Sequence, residues 1–103
     1  DLDTIKTMLR QPINTILIFN KYPFKIYERM DASRSIPILG VDVSAGLSRD
    51  SSTICVVDSR TSRITATFEC NYISTIEFAA VIQEIVLKYM PNAVINIERN
   101  GVA

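Results

Sequence analysis

The stretch Ser74-Thr-Ile-Glu-Phe-Ala-Ala-Val-Ile-Gln-Glu-Ile-Val-Leu-Lys-Tyr-Met-Pro-Asn-Ala-Val-Ile-Asn-Ile97 decides the fold. Its first part reads as a helix. Ser74 is followed three residues later by Glu77, a pattern in which each side chain serves the other residue's free backbone N–H. Phe78, Ala79, Ile82, Ile85, Val86 and Tyr89 then recur at helical spacing and define one predicted apolar face. Glu77, Gln83, Glu84 and Lys88 turn away from it, the last two as a solvated pair four residues apart. Pro91-Asn92 stops the helix. Ala93 to Ile97 follows as a short apolar run of strand type, closing in Glu98-Arg-Asn-Gly101.

Upstream, Pro37-Ile-Leu-Gly-Val-Asp-Val43 is another apolar run, and it ends in the polar loop Ser44-Ala-Gly-Leu-Ser-Arg-Asp50. Ser52 to Val57 and Arg63 to Cys70 read as two further strands joined by an Asp58 to Ser62 turn. In such a meander the third strand runs parallel to the first. A right-handed crossover helix then lays the fourth strand beside the first and parallel to it. The predicted order of these four strands is 3-2-1-4, in an α/β sheet with one crossover helix.

The chain reverses its direction of travel across that sheet between strands one and four, and ligands of open α/β sheets bind at the carboxyl ends of such strands. Asp42 and Glu98 stand at those two ends. Two neighbouring carboxylates repel, and one is driven towards its neutral form unless a cation holds both. A hard divalent ion such as magnesium, which takes oxygen ligands and keeps several waters, relieves the repulsion. Asp50, at the far side of the loop, reads either as a further ligand or as a turn acid. The plainer alternative for the pair is a turn-capping aspartate and a solvated glutamate at the sheet rim. Asp58 reads as turn chemistry.

Residues 1 to about 36 have a different texture. Leu2, Ile5, Met8 and Leu9 suggest a short helix behind Asp3, stopped at Gln11-Pro12. Ile13 to Phe19 and Phe24 to Arg29 read as strands around a turn at Asn20 to Pro23, and Asp31 to Ser35 as a polar loop. The expected arrangement is a linker with an added hairpin.

With 103 residues, 48% of them hydrophobic and 21% charged, the composition is that of one globular domain. Eleven basic residues balance eleven acidic ones. A basic tail or polybasic membrane anchor is thereby excluded as the dominant feature, though a locally basic groove is not. No apolar run approaches the roughly 20 residues needed to span a bilayer, nor does the opening segment have signal-peptide order, so the expected setting is soluble and intracellular. The chain has no histidine, which excludes Ser-His-Asp and Cys-His catalysis within it. The predicted hairpin places Cys55 opposite Ala66 and Cys70 opposite Ser51, too far out of register for a disulfide, so both are expected as thiols.

Gly40-Val-Asp-Val-Ser-Ala-Gly46 with Asp50 shortly after, the Asn71 to Ser74 junction and Ile97-Glu-Arg-Asn-Gly101 form an ordered set. Together with Lys25-Ile-Tyr-Glu-Arg29 upstream, this set resembles the C-terminal nuclease domain of the large terminase subunit of tailed bacteriophages. The resemblance covers roughly residues 24 to 103. It implies a ribonuclease H-like fold and metal-dependent endonucleolytic cleavage of concatemeric double-stranded DNA during genome packaging, in the cytoplasm of an infected bacterium. By position, Asp42 and Glu98 match catalytic metal ligands and Asp50 a nearby acid, while Ser44, Arg49, Arg99 and Asn100 fall where substrate is held. The implied cofactor is Mg2+ or Mn2+ in a two-metal mechanism, with water activation at one ion and stabilisation of the leaving 3′ oxygen at the other. Besides double-stranded DNA, the implied partners are a terminase small subunit, a portal protein and an ATPase domain of the same polypeptide. DNA sequence should matter little, since phosphate contacts position without reading bases.

Two departures qualify these implications. The family's third acidic ligand lies on a later segment, and no G-x-x-x-x-G-K-[ST] motif is present. The expected layout is therefore a 1–36 linker and hairpin segment followed by the first part of a nuclease domain over 37–103, truncated before the fifth strand and cleaving DNA weakly or not at all alone. The competing reading is half of an actin-like or sugar-kinase-like ATPase, whose first hairpin also begins with a G-x-D-x-S-type segment. The loop from Ser44 to Ser51 is long for that role and carries a second acid. A third reading is an interaction module or remnant that keeps the sheet without chemistry.

Overall fold

In the computed structural model, which describes residues 10–43 and 51–99 (Arg99 by its backbone alone), apolar residues alternate along the strands and recur at three-to-four spacing on the helix. The elements are β1 (Asn14–Ile18), β2 (Tyr22–Ile26), β3 (Pro37–Val43), β4 (Ser52–Asp58), β5 (Ile64–Cys70), α1 (Thr75–Tyr89) and β6 (Val94–Arg99). They form a six-stranded sheet in the order β1-β2-β5-β4-β3-β6. Every neighbouring pair is antiparallel except β3 and β6, which run parallel. The predicted 3-2-1-4 order reappears as β5-β4-β3-β6, and the fold is a mixed α/β sheet of ribonuclease H-like type.

One face of the sheet carries the core. Leu39 and Val41 from β3, Ile54 and Val56 from β4, Ala66 and Phe68 from β5, and Phe24 from β2 are all buried there. Helix α1 covers this face with Phe78, Val81 and Ile85, while Ile82 and Val86 are half-buried at its margin. The Phe68 and Phe78 rings stack with centroids 5.9 Å apart, and Tyr22 meets Phe68 edge-on at 6.2 Å. The helix face thus differs from the expected one. Val81 belongs to it, whereas Ala79 and Tyr89 are exposed, because the stripe that meets the sheet runs through offsets zero, three, four and seven from Phe78. At the helix start the Ser74 hydroxyl accepts from the Glu77 N–H at 3.0 Å. Lys88 lies 3.8 Å from Glu84, and the Met90 N–H closes the last turn on Ile85 and Val86.

The β1–β2 hairpin extends the same sheet beyond β5. Its turn falls at Phe19 to Lys21 rather than Asn20 to Pro23, with positive φ at Phe19 and Asn20. Pro23 is therefore inside β2. It fits because the pairing of β2 with β5 begins only at Phe24, so no ladder on that side needs its missing N–H.

The β4–β5 hairpin contains a bulge at Thr65. Val57 pairs with Ile64 as the turn dictates, but Val56 pairs with Ala66, leaving Thr65 as the extra residue. Its carbonyl accepts from the backbone N–H groups of Tyr27 and Glu28, which ties β5 to the chain leaving β2. The consequence is a one-residue correction to the expected register: Cys55 faces Thr67 and Cys70 faces Ser52. The two free cysteines lie on opposite faces of the sheet.

On the outer strand β6, Val94, Ile95 and Ile97 are all exposed. Among the described residues no helix is long and apolar enough to cross a membrane.

Candidate functional site

Strand alternation puts Leu39 and Val41 on the helix side of β3, and Ile38, Gly40 and Asp42 on the opposite, open face. The parallel ladder then pairs Asp42 with Glu98. Side chains of paired residues leave the sheet on the same side, with Cα atoms about 4.8 Å apart. Asp42 is half-buried and Glu98 exposed, so the two carboxylates the sequence singled out share one row at the carboxyl ends of the two parallel strands.

That row continues across the sheet. Asp42 pairs with Thr53 on β4, and Thr53 with Glu69 on β5. Glu69 escaped the sequence reading because it faces this side only through the Thr65 bulge. Without the extra residue it would pair with Ser52, which points into the core. Glu69 sits two strand spacings from Asp42, about 10 Å, too far to share an ion with it. Among the described residues no group of three or more His, Cys, Asp or Glu is placed to hold a metal ion. Among the described residues the row's end thus offers two carboxylates, suited to a hard cation that retains water and takes further ligands from a phosphate. Ser44, Arg49, Asp50 and Asn100 lie outside the described residues, as does the loop that separates the nuclease from the ATPase reading. Arg99 ends β6 in register with Val43.

On the same open face β2, β5 and β4 form a concavity of about 530 Å³, lined by Lys25, Thr53, Cys55, Thr67 and Glu69 among others. Burial pushes the Cys55 thiol above its ordinary range, away from nucleophilic thiolate character. A cluster of ion pairs lies beside Tyr27 and Ile64, two residues of that lining. Glu28 receives Arg10 Nη1 at 2.6 Å and Arg63 Nε at 2.7 Å, and Arg10 Nη2 donates to the Ile64 carbonyl at 2.7 Å. The Arg63 guanidinium beside Glu28, with Arg10 assisting against partial burial, holds this carboxyl below its usual range. Arg10 also lies 5.1 Å from the centre of the Tyr27 ring.

On the helix side the Tyr22 hydroxyl donates to the Glu77 carboxylate, fastening the β1–β2 hairpin to the start of α1. This bond and burial raise the Tyr22 phenol above its ordinary range. Asp58, read from sequence as a turn acid, is one: its carboxylate accepts from the Arg60 N–H at 2.8 Å. Burial pushes that carboxyl up, but the Ser35 hydroxyl and the Arg60 and Thr61 N–H groups outweigh it and leave it below the usual range.

A parallel strand pair at the reversal point of a mixed sheet, reached by one crossover helix, defines the architecture as that of a ribonuclease H-like α/β domain. Among solved structures, the chain is similar to the large terminase nuclease from thermophilic phage G20c, with a TM-score of 0.65 and 17% sequence identity. The likeness covers 84% of this chain and 42% of that one, so the chain spans less than half of its neighbour's length. At this identity the likeness is one of fold. No protein-family model matches the sequence, and no curated protein matches it.

Proposed function

We propose that this chain forms the first part of a terminase-type nuclease domain, in which Asp42 and Glu98 supply carboxylates for metal-dependent cleavage of double-stranded DNA. The observation that supports this most is the direct pairing of those two acids at the ends of β3 and β6, in a sheet with the fold of a terminase nuclease. Divalent ions at such a site, Mg2+ or Mn2+, would supply an activated water and charge stabilisation for in-line phosphodiester hydrolysis. The chain's own part is to hold two carboxylates side by side on rigid strands, one half-buried and one open to substrate. Asp50, Ser44, Arg49, Arg99 and Asn100 are assigned to the surroundings of the site by resemblance. A third carboxylate from elsewhere in the terminase polypeptide completes the set, with the ATPase domain, small subunit and portal protein as partners in packaging.

Titration with Mn2+ tests the reading directly. Amide signals of residues 41–43 and 96–98 should broaden selectively, and the effect should vanish in Asp42→Asn. Unbroadened signals at both strands would sink the metal site. In a plasmid-nicking assay the 103-residue chain should cleave weakly or not at all. Robust cleavage abolished by Asp42→Asn would show that the site is complete without a third carboxylate.

A further inference from the structure

The acid row on the open face contains one residue that is not an acid. Across four neighbouring strands it runs Glu98, Asp42, Thr53 and Glu69, each in register with the next. Residues directly opposite one another leave the sheet on the same side, with Cβ atoms about 4.5–5.5 Å apart. Thr53 therefore flanks Asp42 on one side as Glu98 flanks it on the other. Its side chain is half-buried and borders the open-face concavity. Two heavy atoms on its Cβ make threonine stiff at χ1, so the hydroxyl is confined to few positions. From there a neighbouring carboxylate oxygen is within hydrogen-bonding reach. Ionised carboxylates only accept, which makes this hydroxyl the one side-chain donor of the row. Among the described residues it has no hydrogen-bond partner, so the fold leaves the donor unused.

We propose that Thr53 is a positioning residue for the metal site: when a cation is held there, its hydroxyl donates to one oxygen of the Asp42 carboxylate and leaves the other to face Glu98. The inference rests on the nuclease reading above. An aspartate carboxylate turns readily about χ2, and repulsion from Glu98 favours turning the oxygens of the two acids apart. A donor on the far side of Asp42 fixes that rotation. Groups that hydrogen-bond a metal-ligating carboxylate in this way govern metal affinity by about 10–100-fold. The plain alternative is a threonine kept for its strand preference, which valine shares. That alternative requires Thr53→Val to be silent towards metal.

The test is Mn2+ titration of the 103-residue chain and its variants, read by amide broadening at residues 41–43 and 96–98. Thr53→Val keeps the side-chain shape and removes the hydroxyl, so the fold is preserved, and a melting temperature without metal verifies it. The Mn2+ concentration at half-effect should rise about tenfold. Thr53→Ser, which keeps a hydroxyl, should stay near wild type. The tenfold loss on Thr53→Val should persist in a Glu69→Gln background, because the hydroxyl acts on Asp42. Wild-type affinity in Thr53→Val overturns the inference, as does an equal loss in Thr53→Ser or a loss that disappears with Glu69→Gln. The two ideas fail separately. Broadening in wild type with an unmoved Thr53→Val removes the role of Thr53 and keeps the metal site, whereas absent broadening in wild type removes the nuclease reading itself.

Discussion

Asp42 on β3 and Glu98 on β6 are register partners in the parallel ladder, so two like charges stand on adjacent strands with no residue between them. Like charges directly opposite one another destabilise a sheet. Without metal, Glu98→Gln should therefore raise stability by a few tenths of a kcal/mol, while it abolishes most of the rise in melting temperature that Mn2+ gives wild type. At a concentration of one hundred times Kd that rise corresponds to about 2.7 kcal/mol. Thermal melts with and without Mn2+ measure both signs. A variant that is less stable without metal and still metal-responsive would contradict the pairing.

Gly40 lies one row below Asp42 on the same face. Among the described residues a Cβ there would meet only the Cys55 carbonyl, at an ordinary contact distance of 3.8 Å. Gly40→Ala should hence fold normally and gain up to about 1 kcal/mol, since glycine in a strand loses more backbone freedom on folding. Urea denaturation checks this. A loss of more than about 1 kcal/mol would mean that the backbone at this position needs glycine.

Tyr22 is buried, and its hydroxyl reaches the exposed Glu77 carboxylate. Tyr22→Phe keeps the ring packing against Phe68 and removes the bond, so it should cost about 1 kcal/mol. In a double-mutant cycle with Glu77→Gln the two losses should be strongly non-additive. Additive losses would show that the bond contributes nothing in solution.

Glu28 ionises more readily in the folded chain than in the unfolded one, because Arg63 and Arg10 hold its charged form against partial burial. A carboxyl lowered in this way adds stability that is complete above its ordinary value of 4.5 and is lost as pH falls through its folded value. Wild type should therefore lose stability on acidification below the ordinary carboxylate range more steeply than Glu28→Gln. At neutral pH the variant should be less stable by about 1 kcal/mol. Urea midpoints measured across that range decide it, and parallel curves would overturn the role of the clasp.

Nothing in the sequence placed the β1–β2 hairpin beside β5, whereas the order of the other four strands, β5-β4-β3-β6, was legible because one long helix between two apolar runs leaves few topologies and handedness selects among them. That step alone carried Asp42 and Glu98 to neighbouring strand ends. What sequence did not reveal was local. The Thr65 bulge leaves no signature in composition, since its cause is the bond pattern to Tyr27 and Glu28, partners far away in the chain. It shifted both cysteines by one residue and brought Glu69 to the open face. On the helix, Val81 and Ala79 lie at opposite edges of the apolar stripe and only Val81 meets the sheet, while Tyr89 is in line with Phe78 and Ile85 but is exposed as the last residue of the helix. Tyr89 instead keeps its ring under the Lys88 ammonium, 5.8 Å away.

Strand β6 has consequences of a different kind. Its backbone is paired with β3 on one side, and its apolar side chains Val94, Ile95 and Ile97 are open on both faces. An exposed edge with that composition is a template onto which further strands add. Self-association that grows with concentration is the expected consequence for this chain, and light scattering over a concentration series checks it. A lysine in place of Ile97, on the side away from Asp42, is the substitution that keeps the chain dispersed while leaving the carboxylate row intact.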